Sequence, residues 1–332
     1  MIENYRPRLN LYETQSAIGF IKQTFQFELS RRLHLMRATA PLFVDPATGL
    51  NDDLSGIERP VSFDIPGVPG VESAQVVHSL AKWKRQALGE YGFQPDTGLW
   101  TDMNAIRRDE EPDALHSIYV DQWDWEKVIT ADMRTIDELK RTVTDIVDAI
   151  CSTLSAVKCM YPQIQVHLHR EVSFVTAQEL EDLYPTLYGK ERENAYVKEH
   201  PTTFILGIGG KLKSGKPHDG RAPDYDDWSL NGDLMFWDET LQQAVELSSM
   251  GIRVDAEAMR RQCAELGCEN RLALPFHQGV LNGTLPLSMG GGIGQSRLCM
   301  LLLGKAHIGE VQVSLWPKEM REECAKKNIV LL

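Results

Sequence analysis

Apolar residues recur at intervals of three and four in two long stretches of the chain. Ile18, Ile21, Phe25, Leu29 and Leu33 build one such face; Ile136, Leu139, Val143, Ile146, Ile150, Leu154 and Val157 build a second. Both spacings predict amphipathic helices, the second of about six turns. Pro41, in ATAPLFVD, breaks the first pattern, and a short extended run follows. The Pro- and Gly-rich segment from Val61 to Gly70 predicts a hairpin or loop.

Elsewhere the period drops to two. Ser117 to Val128 predicts a strand with Ile118, Val120, Gln122, Asp124 and Glu126 on one face and Tyr119, Asp121, Trp123 and Trp125 on the other. Gln165, His167 and His169 alternate in another expected strand, and TTFILGIGG, NGDLMFWDE and AVELSSMGIRVD give three more. A last helix is expected from Ile293 to Leu303, with VQVSLWP closing the chain as a short strand. Without a regular βαβ rhythm, this mixture predicts an α+β fold on an antiparallel sheet.

Composition narrows the function. Lys plus Arg number 35 against 47 Asp plus Glu, a net charge of −12, so nucleic acid is not an expected partner. The longest apolar block, Leu298 to Leu303, falls far short of the ~20 residues that cross a bilayer, and no membrane association is expected. The opening MIENYRPRLNLYETQ has no apolar signal core, so a cytoplasmic location is expected. The six cysteines include no CxxC and read as reduced thiols.

Two motifs fail on inspection. GGKLKSGKP begins like a phosphate-binding loop, but Pro217 stands where a magnesium-holding Ser or Thr belongs. His167 and His169 have no third ligand spaced nearby and read as a solvated strand face. MGGGIGQSR lacks the last glycine of a dinucleotide fingerprint and is compatible with a tight turn into a packed helix. Acids near arginines (Asp124 and Glu126, Asp226, Asp233 and Glu246; Arg107, Arg108, Arg253 and Arg297) suit a nucleotide with magnesium and an amino acid.

The blocks HSLAKWKRQALGEYGF, LHSIYVDQWDWE, RAPDYDDWS, LNGD, ELSSMGIRVDA and GGGIGQSRL together resemble the ammonia-dependent, type A asparagine synthetases, the aspartate–ammonia ligases. The resemblance implies an antiparallel sheet flanked by helices, similar to class II aminoacyl-tRNA synthetase catalytic domains. It implies one catalytic domain over 1–332, with the N-terminal helix and a dimer-interface segment in about 1–50 and the core in about 51–332. RATAPLFVD resembles the first class motif, which implies a homodimer. IRRDE resembles the second and GGGIGQSR the third. The adjacent arginines leave the phosphate-binding residue of the second motif at Arg107 or Arg108, with Arg107 the better match.

The implied reaction joins aspartate and ammonia with ATP, through a β-aspartyl-adenylate, to give asparagine, AMP and pyrophosphate. Residues carried over are Arg107 on the α-phosphate, Arg297 on the adenine and terminal phosphates, and Gly292 and Gly294 beside the nucleotide. Asp233 and Glu246 would hold Mg2+. Ser79, Lys84, Gln122, Asp124, Ser249 and Arg253 would bind aspartate, Lys84 and Arg253 through its carboxylates and Asp124 through its ammonium. Asp52 or Asp226 would position or deprotonate the nitrogen nucleophile. A glutamine-hydrolysing mechanism is not expected, since residue 2 is Ile2 rather than cysteine.

Overall fold

Asn10 opens the first helix, α1 (Leu11–Leu33). Its side chain accepts from the Glu13 amide at 2.9 Å, and Glu13 accepts in return from the Asn10 amide, satisfying two otherwise free donors. The apolar stripe is buried at Ala17, Ile21, Phe25, Leu29 and Leu33. The structure, a computed structural model, describes residues 5–52, 54 and 58–332; Ile2 and the rest of 1–4 lie outside the described residues.

Beyond α1 come β1 (Leu35–Arg37), β2 (Phe43–Val44), β3 (Ser62–Asp64), β4 (Ser73–Val76), α2 (Ala81–Glu90), β5 (Gly98–Ile106) and β6 (Tyr119–Val128). The second amphipathic helix is α3 (Ile136–Met160), started by the Thr135 cap. Then follow β7 (Ser173–Thr176), α4 (Ala177–Leu183), α5 (Lys190–Glu199), β8 (Thr202–Leu206), β9 (Asp226–Asp238) and β10 (Gln243–Arg253). The chain ends through α6 (Ala256–Glu265), α7 (Pro275–Leu281), β11 (Ser288–Gly294), α8 (Gln295–Leu303) and α9 (Lys318–Lys326).

Eight strands form one sheet in the order β1-β5-β6-β11-β10-β9-β8-β7. Its edge pairs, β1·β5 and β7·β8, are parallel, and the interior pairs are antiparallel. Helices α1, α3 and α8 cover one face, packing on Trp123, Trp125, Phe236 and Ile252; the Phe25 and Trp123 rings lie 4.7 Å apart. On the other side Leu80, Met259, Phe276 and Val280 gather a smaller core between α2, α6 and α7. A separate sheet, β2-β4-β3, contains the start of the expected 61–70 hairpin. No helix among the described residues is long and apolar enough to cross a membrane.

Three expectations need correction. Residues 162–171 carry no strand: Gln165, His167 and His169 alternate but pair with no neighbour, and β7 begins only at Ser173. VQVSLWP is irregular too, with Val313 and Leu315 exposed and Trp316 buried, and a helix, α9, follows it. Helix α8 starts at Gln295, because Ile293 and the glycines before it form a central strand instead of a turn. The GGKLKSGKP segment is a tight loop, with Gly215 N–H donating to Leu212 O and Lys211 bridging Pro217.

One irregularity shapes the site. Glu246 pairs with Met235 and Ser248 with Leu234, so Leu247 is an extra residue in β10, a β-bulge.

Candidate active site

Gly292 lies in register between Asp124 of β6 and Ser249 of β10, and Ser249 in turn faces Asp233 of β9. A Cβ on Gly292 would come within 2.5 Å of Gln122 Oε1 and 2.8 Å of Asp124 Oδ1. One on Gly290 would run into Glu126 Oε2. The glycine strand therefore makes a bare floor over which the polar side chains of β6 spread. This is the Gln122, Asp124 and Glu126 face that alternation predicted.

Above the floor lies a cavity of about 550 Å³. Gln122 and Asp124 of β6, Glu246, Ser249 and Arg253 of β10, and Gly292 and Gly294 of β11 line it. Arg297 reaches in from α8, Lys84 from α2 with Ser79 just before it, Arg107 from the end of β5 and Asp226 from the start of β9. Asp52 closes the wall. Asp233 does not line the cavity; it is buried beside it and paired with Arg221. Arg108 is exposed and outside the cavity, so of the two adjacent arginines it is Arg107 that points in.

Most cations here already hold protein acids. Arg253 donates Nε to Glu126 Oε1 at 2.9 Å and Nη2 to Oε2 at 2.7 Å, while Nη1 holds Asp226. Lys84 Nζ donates to Trp125 O at 3.0 Å and Gly291 O at 3.1 Å and lies 3.2 Å from Asp124 Oδ1. Its three protons are thus directed at protein groups. Burial would raise the Glu126 carboxyl, but Arg253 outweighs it and holds Glu126 below the usual range. Arg107 and Arg297 differ. Among the described residues neither pairs with a carboxylate: Arg297 Nη1 donates only to the Glu246 carbonyl at 2.9 Å, and Arg107 Nε is buried without a partner.

Acids line the cavity as well. Burial pushes both the Asp52 and Asp226 carboxyls up, Lys82 and Arg253 offsetting only part of it. Asp226 Oδ2 is buried without a hydrogen bond, and Tyr225 lines the cavity beside it. Asp233 is pushed up to about 7, chiefly by burial and further by Glu246, against the pull of Arg221. Glu246 forms no ion pair among the described residues.

Sequence reading assigned no role to five positions. Arg221 and Tyr225 lie inside the RAPDYDDWS block, whose length was a signal without an assignment of roles. Gln262 of α6 donates to Pro223 O at 3.0 Å and Asp226 O at 2.9 Å and accepts from Trp228 N at 3.0 Å, pinning that block. Lys82 donates to Asn51 O at 3.0 Å and Asp224 Oδ2 at 2.7 Å, and His277 Nε2 meets the same carboxylate at 2.8 Å. Lys82 lies inside the HSLAKWKRQALGEYGF block without an assigned role, and His277 carried no sequence signal because its partner is far off in the chain.

The aspartate-ammonia ligase family model matches residues 12–328. An aspartate–ammonia ligase of Levilactobacillus brevis is 56% identical over 330 residues, 99% of this chain and 98% of its own. That of Lactobacillus acidophilus is 57% identical over 331 residues, with the same coverage. In fold, the asparaginyl-tRNA synthetase of Pyrococcus horikoshii complexed with asparaginyl-adenylate aligns at a TM-score of 0.68 and 15% identity, over 92% of this chain and 70% of that one. An aspartyl-tRNA synthetase of Entamoeba histolytica aligns at 0.58 and 17%, over 91% and 57%. The α+β architecture is thus that of class II synthetase catalytic domains, and the match along nearly its whole length shows that the chain belongs to the aspartate–ammonia ligase family.

Proposed function

We propose that the protein makes asparagine from aspartate, ammonia and ATP through a β-aspartyl-adenylate, with AMP and pyrophosphate released. The observation that carries this reading beyond family membership is the pair of guanidinium groups, Arg107 and Arg297, that hold no carboxylate among the described residues, in a cavity whose other arginines do. Guanidinium forks suit phosphate oxygens, so these two arginines take the triphosphate and the polar groups of β6 and β10 the amino acid.

A carboxylate resists nucleophiles because it is already negative. Adenylation replaces its oxide with AMP, and catalysis of such a step rests on positioning and charge neutralisation. Arg107 neutralises the α-phosphate as the β-carboxylate attacks. Arg297 holds the adenine and outer phosphates, with Gly292 and Gly294 letting the nucleotide approach the sheet. Asp124, Gln122, Ser79 and Ser249 orient aspartate, while Lys84 and Arg253 supply positive charge for its carboxylates, shared in the free protein with Asp124, Glu126 and Asp226. Asp52 and Asp226 serve the nitrogen nucleophile.

Mg2+ would be held by Glu246, which lines the cavity and forms no ion pair among the described residues, with Asp233, buried beside it and paired with Arg221, as the second oxygen ligand. When bound there, the ion neutralises phosphate oxygens.

The chain 1–332 is read as one catalytic domain working in the cytoplasm, as a homodimer and without a nucleic-acid partner. Exposed Met36 on edge strand β1, with Leu42, Phe43 and Phe63 nearby in sequence or on the small sheet, supports a two-fold interface. Sedimentation showing a stable monomer at micromolar concentration contradicts the dimer.

Product analysis with aspartate, ATP and either ammonium or glutamine tests the reaction. AMP with ammonium is the expected outcome; ADP, or no turnover with ammonium, rejects it.

A further inference from the structure

Helix α6 ends in a two-bond cap. The Cys268 amide donates back to Cys263 O at 2.9 Å and the Gly267 amide to Ala264 O at 3.2 Å, with Gly267 at φ 66°. This is the Schellman arrangement, in which the side chains at the two ends of the closed turn meet. Here both are cysteines. Cys263 is 0% exposed in the core between α2, α6 and α7, and half-buried Cys268 packs against that core. Cys268 Sγ lies 3.6 Å from Cys263 O, and the two thiols interact directly. Neither is in a disulfide, and Ala264 to Gly267 between them are all exposed, so small solutes reach the pair from outside. No other two of the six cysteines stand so close in the sequence.

Both ends of this turn are tied to the segment that enters β9. Gln262, next to Cys263, holds Pro223 O, Asp226 O and the Trp228 amide. Beyond the other thiol, the Arg271 amide donates to Cys268 O at 3.1 Å, and the Arg271 guanidinium lies 3.6 Å from Asp224 Oδ2. A change at the thiols therefore has two routes to residues 223–228.

We propose that Cys263 and Cys268 are a redox modification site, closing to a disulfide under peroxide and reopening under a thiol reductant, and that closure slows turnover by displacing Gln262. The effect on turnover rests on the amide-forming reading above; formation of the disulfide does not. Cys268, the more exposed, meets the oxidant first. Its sulfur forms an S–O bond as the peroxide O–O bond breaks, and the second oxygen leaves as hydroxide, which takes the thiol proton and becomes water. Cys263 Sγ then attacks the Cys268 sulfur: the S–S bond forms, the S–O bond breaks, and the departing hydroxide takes the Cys263 proton as a second water. Two thiols give up two electrons, and one peroxide is reduced. Burial and the Cys268 thiol push Cys263 up to about 12, which suits it to the second step rather than the first. A disulfide holds its sulfurs about 2 Å apart, nearer than thiols in contact. Closure thus draws in the last turn of α6, and Gln262 passes the shift to the backbone it holds.

Trypsin cuts after Arg261 and Arg271 and frees Gln262–Arg271, a peptide with both cysteines and no other. The full chain is treated with hydrogen peroxide at a dose that leaves exposed Cys159 open to alkylation, then alkylated and digested. The peptide is expected without alkyl groups and lighter by two hydrogens. Asparagine formation falls at least about tenfold, and dithiothreitol restores both. Cys268→Ser matches untreated wild type in turnover and keeps that turnover after peroxide. Wild-type peptide still alkylated at both cysteines overturns the inference, as does a disulfide that leaves turnover unchanged or an equal loss in C268S. Should C268S fail to fold, Cys263→Ala serves as the same control. Reduced wild type that makes no asparagine is a different failure, that of the proposed reaction, and the peptide mass still decides the disulfide.

Discussion

Glu126 and Arg253 face each other across β11, carboxylate against guanidinium, with both residues buried. Glycine at 290 makes the meeting possible, since a side chain there would occupy the Glu126 oxygen's position. Glu126 also accepts from Ser288 Oγ at 2.7 Å and lies 3.8 Å from Lys84 Nζ. Glu126→Ala leaves two buried cations short of a partner and is expected to cost about 3–5 kcal/mol, read from urea unfolding. The Glu126 carboxyl is held low in the fold, so its stabilisation is present above the unfolded value near ~4.3 and is lost as pH falls through the depressed folded value. Wild-type stability is therefore expected to fall with acidification below that point more steeply than that of the Ala variant.

Asp238 carries the opposite sign. Burial pushes it up to about 6, so its ionisation opposes folding as pH rises from the unfolded value near ~3.9 through 6. Asp238→Asn can keep the acceptor for the Thr240 and Leu241 amides while removing the charge. It is expected to stabilise by about 1–3 kcal/mol above pH 6, and by almost nothing at pH 4. A gain of equal size at both pH values would exclude this account.

Arg107→Ala is expected to lower kcat/KM by a few hundredfold, about 3–4 kcal/mol of transition-state stabilisation. Arg108→Ala, on an exposed side chain beside it, should stay near wild type. Steady-state kinetics on both variants decide between the neighbours; a reversed result would shift the phosphate contact by one residue.

Gly292→Ala puts a methyl group against Gln122 and Asp124. Calorimetry is expected to show both aspartate and ATP affinity reduced, since this glycine also lets the nucleotide approach the sheet, whereas Asp124→Asn is expected to reduce aspartate affinity at least about tenfold with ATP affinity much less affected. Equal losses for both ligands in Asp124→Asn would place Asp124 in the scaffold.

Lys82→Met removes the amine that links Asn51 O to Asp224 and leaves that carboxylate, 0% exposed, to His277 and Arg271. A loss of about 3 kcal/mol in thermal or urea unfolding is expected, with a smaller loss for Lys82→Arg. Burial would raise Asp224, but Lys82 and His277 hold it low, so the Met variant should lose relatively less stability than wild type on acidification.

How far the sequence was legible depends on where each signal came from. Helices α1 and α3 and strand β6 were readable because their patterns are long and each residue's burial follows its own position. The glycine run hid a central strand, since its side-chain space is filled by Gln122, Asp124 and Glu126 from the next strand. Alternation misled at His167 and at VQVSLWP, where strand-like residues meet no partner backbone. The expected site residues meet at one cavity, Asp233 excepted, because family resemblance supplied positions that spacing alone did not. Lys82, His277 and Gln262 received no role because long-range hydrogen bonds leave no periodicity.

The extra residue at Leu247 sets the parity of β10. Glu246 pairs with Met235 and Ser249 with Asp233, so both project to one side although three positions apart; in an unbroken strand they would point to opposite sides. The acid proposed for the metal and the hydroxyl proposed for aspartate thus share a wall by virtue of a single inserted position. Deleting residue 247 would restore regular pairing and leave the two only two positions apart, still on one side, whereas straightening the strand with all residues kept would turn one of them away. The shared wall therefore depends on the bulge being kept as a bulge, so a change that drew Leu247 into the regular ladder would alter the geometry of the site more than its removal.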